Sequence, residues 1–196
     1  EFQIQVLSTV RLITQSPLPE GLVGSAYSLT FMAERGTPPY QFSVIDGQLP
    51  SGLTLNAATG ALTGTPTAPF DGTFTVQVRD AATPPAQASR AYQLRILQPL
   101  QFTLLQLPAG TVNVPYQAQF GAQGGVAPYT FSLASGTLPS GITLTPSGLL
   151  AGTATSPSAS TLVVRVTDSR GTAVQRDFNL NIQTQAVNGG SLSLSS

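Results

Sequence analysis

Residues 47–56 read GQLPSGLTLN, and residues 136–145, 89 positions further on, read GTLPSGITLT. The likeness extends outward from this pair. PPYQFSV at 38–44 recurs as APYTFSL at 127–133, again at a spacing of 89. TGALTGTPT at 59–67 recurs as SGLLAGTAT at 147–155, and FTVQVRD at 74–80 as LVVRVTD at 162–168, both at 88. One residue of slippage over so many matches is a single deletion, so the chain holds two tandem units of about 88 residues. The boundaries fall at 9–97 for the first repeat and 98–184 for the second.

Inside each unit the apolar residues recur at every second position, the period of a strand with one buried face. Tyr27, Leu29, Phe31 and Ala33 alternate with Ser28, Thr30 and Met32, and the second copy offers Tyr116, Ala118, Phe120 and Ala122. Tyr40, Phe42 and Val44 repeat as Tyr129, Phe131 and Leu133; Phe74, Val76 and Val78 repeat as Leu162, Val164 and Val166. Nineteen Gly and sixteen Pro supply turns between these runs. About seven short strands in fewer than ~100 residues predict a two-sheet antiparallel sandwich. Gly52 and Gly141 follow Leu-Pro-Ser, where the chain must turn before the next strand; Gly60 and Gly148 belong in a hairpin loop that favours positive φ. Between the units, AYQLRIL at 91–97 runs through Gln98 and Pro99 into QFTLL at 101–105. The proline fixes its own φ and extends its neighbour, so a short, semi-rigid joint is expected.

These residues carry a family resemblance. Pro-Tyr-x-Phe-Ser, then Gly-x-Leu-Pro-Ser-Gly-Leu-x-Leu, then Gly-x-Leu-x-Gly-Thr-Pro-Thr, then a β-run ending in Asp, resembles the bacterial Putative Ig domain family, which is related to cadherin-like and dystroglycan-type modules. The second unit departs from the pattern at Ala154, where the first has Pro66. The resemblance implies an all-β chain of two tandem Ig-like, cadherin-like antiparallel β-sandwiches joined end to end. It also implies a place in long secreted or surface-anchored proteins, as a spacer or adhesive stalk.

Composition narrows the chemistry. Charged residues make up only 8% of the 196, against about a quarter in ordinary soluble domains, and the eight basic and eight acidic residues balance. His, Cys, Trp and Lys are absent. No imidazole, thiol or amine side chain can then serve as base, nucleophile or Schiff-base former. GxSxG, P-loop and GxGxxG motifs are missing, so an enzyme is not expected. A neutral, charge-poor chain lacks the basic footprint that nucleic acid requires. No apolar run approaches the ~20 residues that span a bilayer. The Thr-, Ser- and Gln-rich surface suits a secreted or cell-surface location.

Three features remain as candidate sites. Asp80 and Asp168 occupy equivalent positions at a strand end; the expected role is an Asx-type cap on the following turn, with one ligand of a junctional calcium as the alternative. No other cofactor is implied. Phe70, in TAPFDG, is an aromatic with no counterpart in the SPSAS stretch of the second unit. It is expected to pack on its own domain, with contact to a protein or glycan ligand as the alternative. The third is FQIQVL at 2–7, where Phe2, Ile4 and Val6 take the places of Tyr92, Leu94 and Ile96 and of Phe178, Leu180 and Ile182. Residues 1–8 therefore resemble the last strand of a preceding repeat, or a strand donated to another copy in a head-to-tail filament. Residues 185–196, QAVNGGSLSLSS, have linker composition. The expected partners are other Ig-like repeats or other copies of this chain. The expected role is structural or adhesive, with a binding module beside a larger secreted enzyme as the alternative.

Overall fold

A computed structural model describes residues 9–185, so the Phe2–Ile4–Val6 strand and most of the Gly/Ser tail lie outside the described residues. The chain divides into two compact units between Pro99 and Leu100. Every element described is a strand.

The first unit contains β1 (Arg11–Leu12), β2 (Gly21–Leu22), β3 (Tyr27–Thr30), β4 (Ala33–Glu34), β5 (Gln41–Asp46), β6 (Leu53–Leu55), β7 (Ala61–Gly64), β8 (Phe70–Arg79) and β9 (Gln87–Leu97). They form a four-stranded sheet in the order β2-β9-β8-β5, a three-stranded sheet β3-β7-β6 and a small β1-β4 ladder. The second unit repeats this with β10 (Gln101–Phe102), β11 (Gly110–Thr111), β12 (Pro115–Gln119), β13 (Ala122–Gln123), β14 (Thr130–Ser135), β15 (Ile142–Leu144), β16 (Leu149–Thr153), β17 (Ser158–Thr167) and β18 (Ala173–Gln183). Its sheets run β11-β18-β17-β14, β12-β16-β15 and β10-β13.

The period-two runs land where expected. Phe74, Val76 and Val78 share the inner face of one sheet with Tyr92, Leu94 and Ile96 in the first unit, as Leu162, Val164 and Val166 do with Phe178, Leu180 and Ile182 in the second. Burying each such side chain contributes roughly 1.5–3 kcal/mol. The outer strands β5 and β14 each carry a bulge, at Val44/Asp46 and Leu133/Ser135. A bulged edge is a poor template for unintended pairing.

Two local features differ from the sequence expectation. The run from Tyr27 to Ala33 is broken rather than one strand. Tyr27–Thr30 pairs with β7, whereas Ala33–Glu34 pairs with β1. Met32 makes the crossing: its N–H donates to Thr14 Oγ1 (2.8 Å), and its carbonyl accepts from Ile13 (2.9 Å). Alternation survives the crossing, so the apolar pattern alone could not show it. The second feature is parallel pairing within largely antiparallel sheets. β2 lies parallel to β9, with Gly21 opposite Ile96, and β11 parallel to β18, with Gly110 opposite Ile182. In both units a tyrosine pins the preceding segment, Tyr27 Oη donating to Pro19 O and Tyr116 Oη to Pro108 O, each at 3.0 Å.

Candidate interaction surfaces

Asp80 follows β8 directly. Its Oδ2 accepts the Thr37 N–H (3.0 Å), and its Oδ1 accepts those of Ala82 (3.2 Å) and Ala86 (2.7 Å). Asp168 is held the same way, Oδ2 by Val126 (3.0 Å) and Oδ1 by Arg170 (3.0 Å) and Thr172 (2.8 Å). The two residues are only 7% and 6% exposed. Each carboxylate thus caps its own turn and clamps a loop more than forty residues earlier in the chain. The Thr37 N–H is the main cause that holds the Asp80 carboxyl below the ordinary aspartate range; Ala86 and Ala82 add to it and burial opposes it. At Asp168 burial pushes upward, and the N–H groups of Val126, Thr172 and Arg170 more than reverse it. Three N–H donors converge on each carboxylate. Among the described residues no cluster of three or more Asp or Glu forms.

Phe70 opens β8 opposite Ile96 and is half-buried against the first core. Its ring turns back over Gly72, where an added Cβ would lie 2.8 Å from Phe70 Cζ. Beside it lies a cleft of about 270 Å3 lined by Pro69, Asp71, Arg95, Ile96, Leu97 and Gln98. The two charged residues that line it are paired, Arg95 lying 3.2 Å from Asp71, and Arg95 also lies 3.5 Å from Glu20. Ser158 takes the place of Phe70 in the second unit. Arg79 and Arg165, both on polar faces, are exposed.

The most informative asymmetry lies at the outer edge of the last strand, which sequence reasoning did not single out. In the first unit the segment between β1 and β2 covers that edge. Leu18 donates its N–H to Gln93 O (2.9 Å), Gln93 donates its own N–H to Ser16 Oγ (3.1 Å), and Leu18 is 3% exposed. In the second unit the corresponding segment, 103–109, makes no backbone hydrogen bond to Asn179, the counterpart of Gln93. A cleft of about 350 Å3 opens instead, lined by Leu105, Gln106, Leu107, Asp177, Phe178 and Asn179, with Leu105 61% exposed. The signal was present: residues 13–20 number eight and 103–109 seven, and Leu104 and Leu105 stand where Gln15 and Ser16 do. A shorter segment that has lost the Ser16 hydroxyl has neither the slack nor the acceptor to lie along the strand.

The two sandwiches match known proteins at the level of fold. A protocadherin gamma-B4 extracellular domain superposes with a TM-score of 0.55 at 16% identity, over 91% of this chain and 35% of that one. Mouse cadherin-23 gives 0.54 at 14% identity, over 93% of this chain and 68% of its own. The insect immune protein hemolin gives 0.54 at 15% identity, over 91% and 47%. The chain thus spans about a third of the protocadherin chain it matches. No curated protein sequence matches it. The family described as Putative Ig domain matches residues 9–97 and 99–183. With both repeats matched and the sandwich architecture in place, the chain belongs to the Putative Ig domain family.

Proposed function

We propose that the tandem is a non-catalytic structural and adhesive module of a secreted or cell-surface protein, built to carry tension, with other Ig-like repeats or other copies of itself as neighbours. The observation that carries this reading is the parallel pairing of the second strand of each unit with its last, β2 with β9 and β11 with β18. Pulling a unit by its two ends loads first the two-residue ladder of its opening strand, β1 on β4 or β10 on β13, and then drags two hydrogen-bonded parallel strands past one another. Their bonds are then loaded together, in shear, instead of opening one by one. The ladder is reinforced by Val23 N–H to Leu97 O and Val112 N–H to Gln183 O, both 2.9 Å. The absence of His, Cys and Lys from the sequence, and the engagement of Asp80 and Asp168 by backbone donors, support a role without catalysis or bound calcium.

Single-molecule pulling tests this. A load-bearing tandem should yield two separate unfolding steps, each releasing ~30 nm of chain, given 3.3–3.6 Å per residue and about 88 residues per unit. One merged event, or unfolding without a resolvable force, overturns the reading.

A further inference from the structure

The edge of β18 left uncovered in the second unit is a built slot with three parts. The first is open backbone: Asn179 occupies the position at which Gln93, in the first unit, both donates to and accepts from a passing segment. The second is apolar: Leu105, exposed, and Leu107, half-buried, line the cleft of about 350 Å3 beside that edge. The third is charge: Asp177 lines the same cleft and forms no ion pair among the described residues, which contrasts with the paired Asp71. In the first unit Ser16 stands for Leu105 and Ala91 for Asp177. The second unit has therefore exchanged the cover over this edge for an exposed leucine and an unpaired carboxylate.

We propose that this cleft docks an extended peptide of a partner protein by strand addition along Asp177–Asn179. The bound segment carries an apolar side chain that sits against Leu105 and Leu107, and an Arg or Lys that reaches Asp177. The first unit shows the same edge with an intramolecular occupant, the Leu18 N–H on Gln93 O and the Ser16 hydroxyl on Gln93 N–H. Strand addition supplies affinity through main-chain hydrogen bonds and selectivity through the side chains flanking them. The carboxylate decides between occupants. FQIQVL at 2–7 and the tail at 186–196 contain no basic residue, so neither can neutralise Asp177. The inference stands apart from the tension-bearing reading, because it concerns one edge of one unit and no mechanical property.

The test is selection of a random heptapeptide phage library on the whole chain, with the Leu105→Lys variant as counter-selection. Leu105 is exposed, so the variant should keep its melting temperature; Asp177→Asn provides a second, isosteric probe. The expected result is enrichment of peptides that alternate apolar with polar residues and include Arg or Lys. Their synthetic versions should shift the Asn179 amide resonance, bind at least about tenfold more weakly to Leu105→Lys, and lose their basic preference on Asp177→Asn. Failure to enrich above the counter-selection overturns the proposal, as does enrichment indifferent to both substitutions. It is equally overturned if Leu105→Lys abolishes self-association of the wild type, which would give the cleft to a second copy. Binding that appears only after deletion of 186–196 would give it to the chain's own tail, with the same consequence.

Discussion

Gly52 and Gly64 meet backbone to backbone at the open end of the β6-β7 hairpin: a Cβ built on Gly64 would overlap the carbonyl oxygen of Gly52, and one built on Gly52 would overlap that of Thr65. Gly52 sits at φ +89° in a turn closed by the Leu53 N–H on Pro50 O (3.0 Å), and Gly64 at φ +143°. Gly141 and Gly152 repeat the contact at +88° and +145°. The Leu-Pro-Ser-Gly and Gly-Thr motifs are thus two halves of one contact, written a dozen residues apart.

Gly141→Val should therefore destabilise the second unit by at least about 3 kcal/mol, since a β-branched side chain meets both a forbidden φ and a backbone oxygen. For a domain of this size that is a fall of more than about 12 °C in its melting temperature. Calorimetry should show the loss in one transition, leaving the first unit's transition in place. A shift below about 4 °C would show that the chain relaxes around the side chain.

Tyr92 gives the opposite kind of prediction. Its side chain is fully buried, 4.8 Å from Phe31 between ring centroids, and its hydroxyl has no hydrogen-bond partner. The second unit places Phe178 there, 4.8 Å from Phe120. An unsatisfied buried hydroxyl costs about 1–3 kcal/mol. Tyr92→Phe should be neutral or stabilising, and Phe178→Tyr should cost about that amount. Denaturant midpoints check both; clear destabilisation by Tyr92→Phe would mean that the hydroxyl has found a partner, such as a bound water.

What could be read in the sequence, and what could not, follows from the range of each interaction. Period-two burial is local, so Phe74–Val76–Val78 announces its strand without help from the rest of the chain. Gly52 and Gly141 were legible because positive φ is a demand of the residue itself. The break at Met32 was not, because alternation continues while the hydrogen-bond partner changes from β7 to β1. The Asp80 position was readable as a turn cap. Its hold on Thr37, 43 residues earlier, depends on the fold having brought the two loops together. The open β18 edge was hidden for a different reason: it appears only when the two repeats are compared for what each fails to cover.

The clamped aspartates make stability depend on pH with a definite sign. Both carboxyls titrate lower in the folded chain than in the unfolded one, where an aspartate sits near ~3.9. Their contribution is complete above that value and is lost as the pH falls through the lower, folded value. Melting temperatures should hold level from about pH 7 to 5 and decline below about pH 4. Asp80→Asn should lower the first unit's stability at neutral pH, because its amide NH2 faces N–H donors, and should flatten that unit's acid response. An undiminished acid response in Asp80→Asn would assign the pH dependence to other groups.

Calcium should matter little. With three N–H donors on each of these carboxylates, a cation would compete with hydrogen bonds that hold the turns. Melting curves in chelator and in ~1 mM calcium should agree within about a degree. A site with Kd of ~10 μM would instead add about 2.7 kcal/mol, a shift of several degrees, and its loss in Asp80→Ala or Asp168→Ala would assign the site.

The two units should also differ in mechanical strength. In the first, tension on β9 is resisted by β2 and by the two further bonds of Gln93, to Ser16 Oγ and from Leu18 N–H. In the second, β18 is held along that edge by β11 and the Val112–Gln183 bond, while Asn179 receives nothing from 103–109. Forced unfolding follows the barrier to rupture rather than equilibrium stability, so bonds that must break in the transition state set the order. The weaker of the two force peaks should belong to the second unit. A ten-residue insertion in the 83–85 loop marks the first unit by lengthening its step by ~3.5 nm. Ser16→Ala should then lower the marked peak and leave the other unchanged. If the lengthened step comes first, shear along the last strand does not govern the strength of either unit.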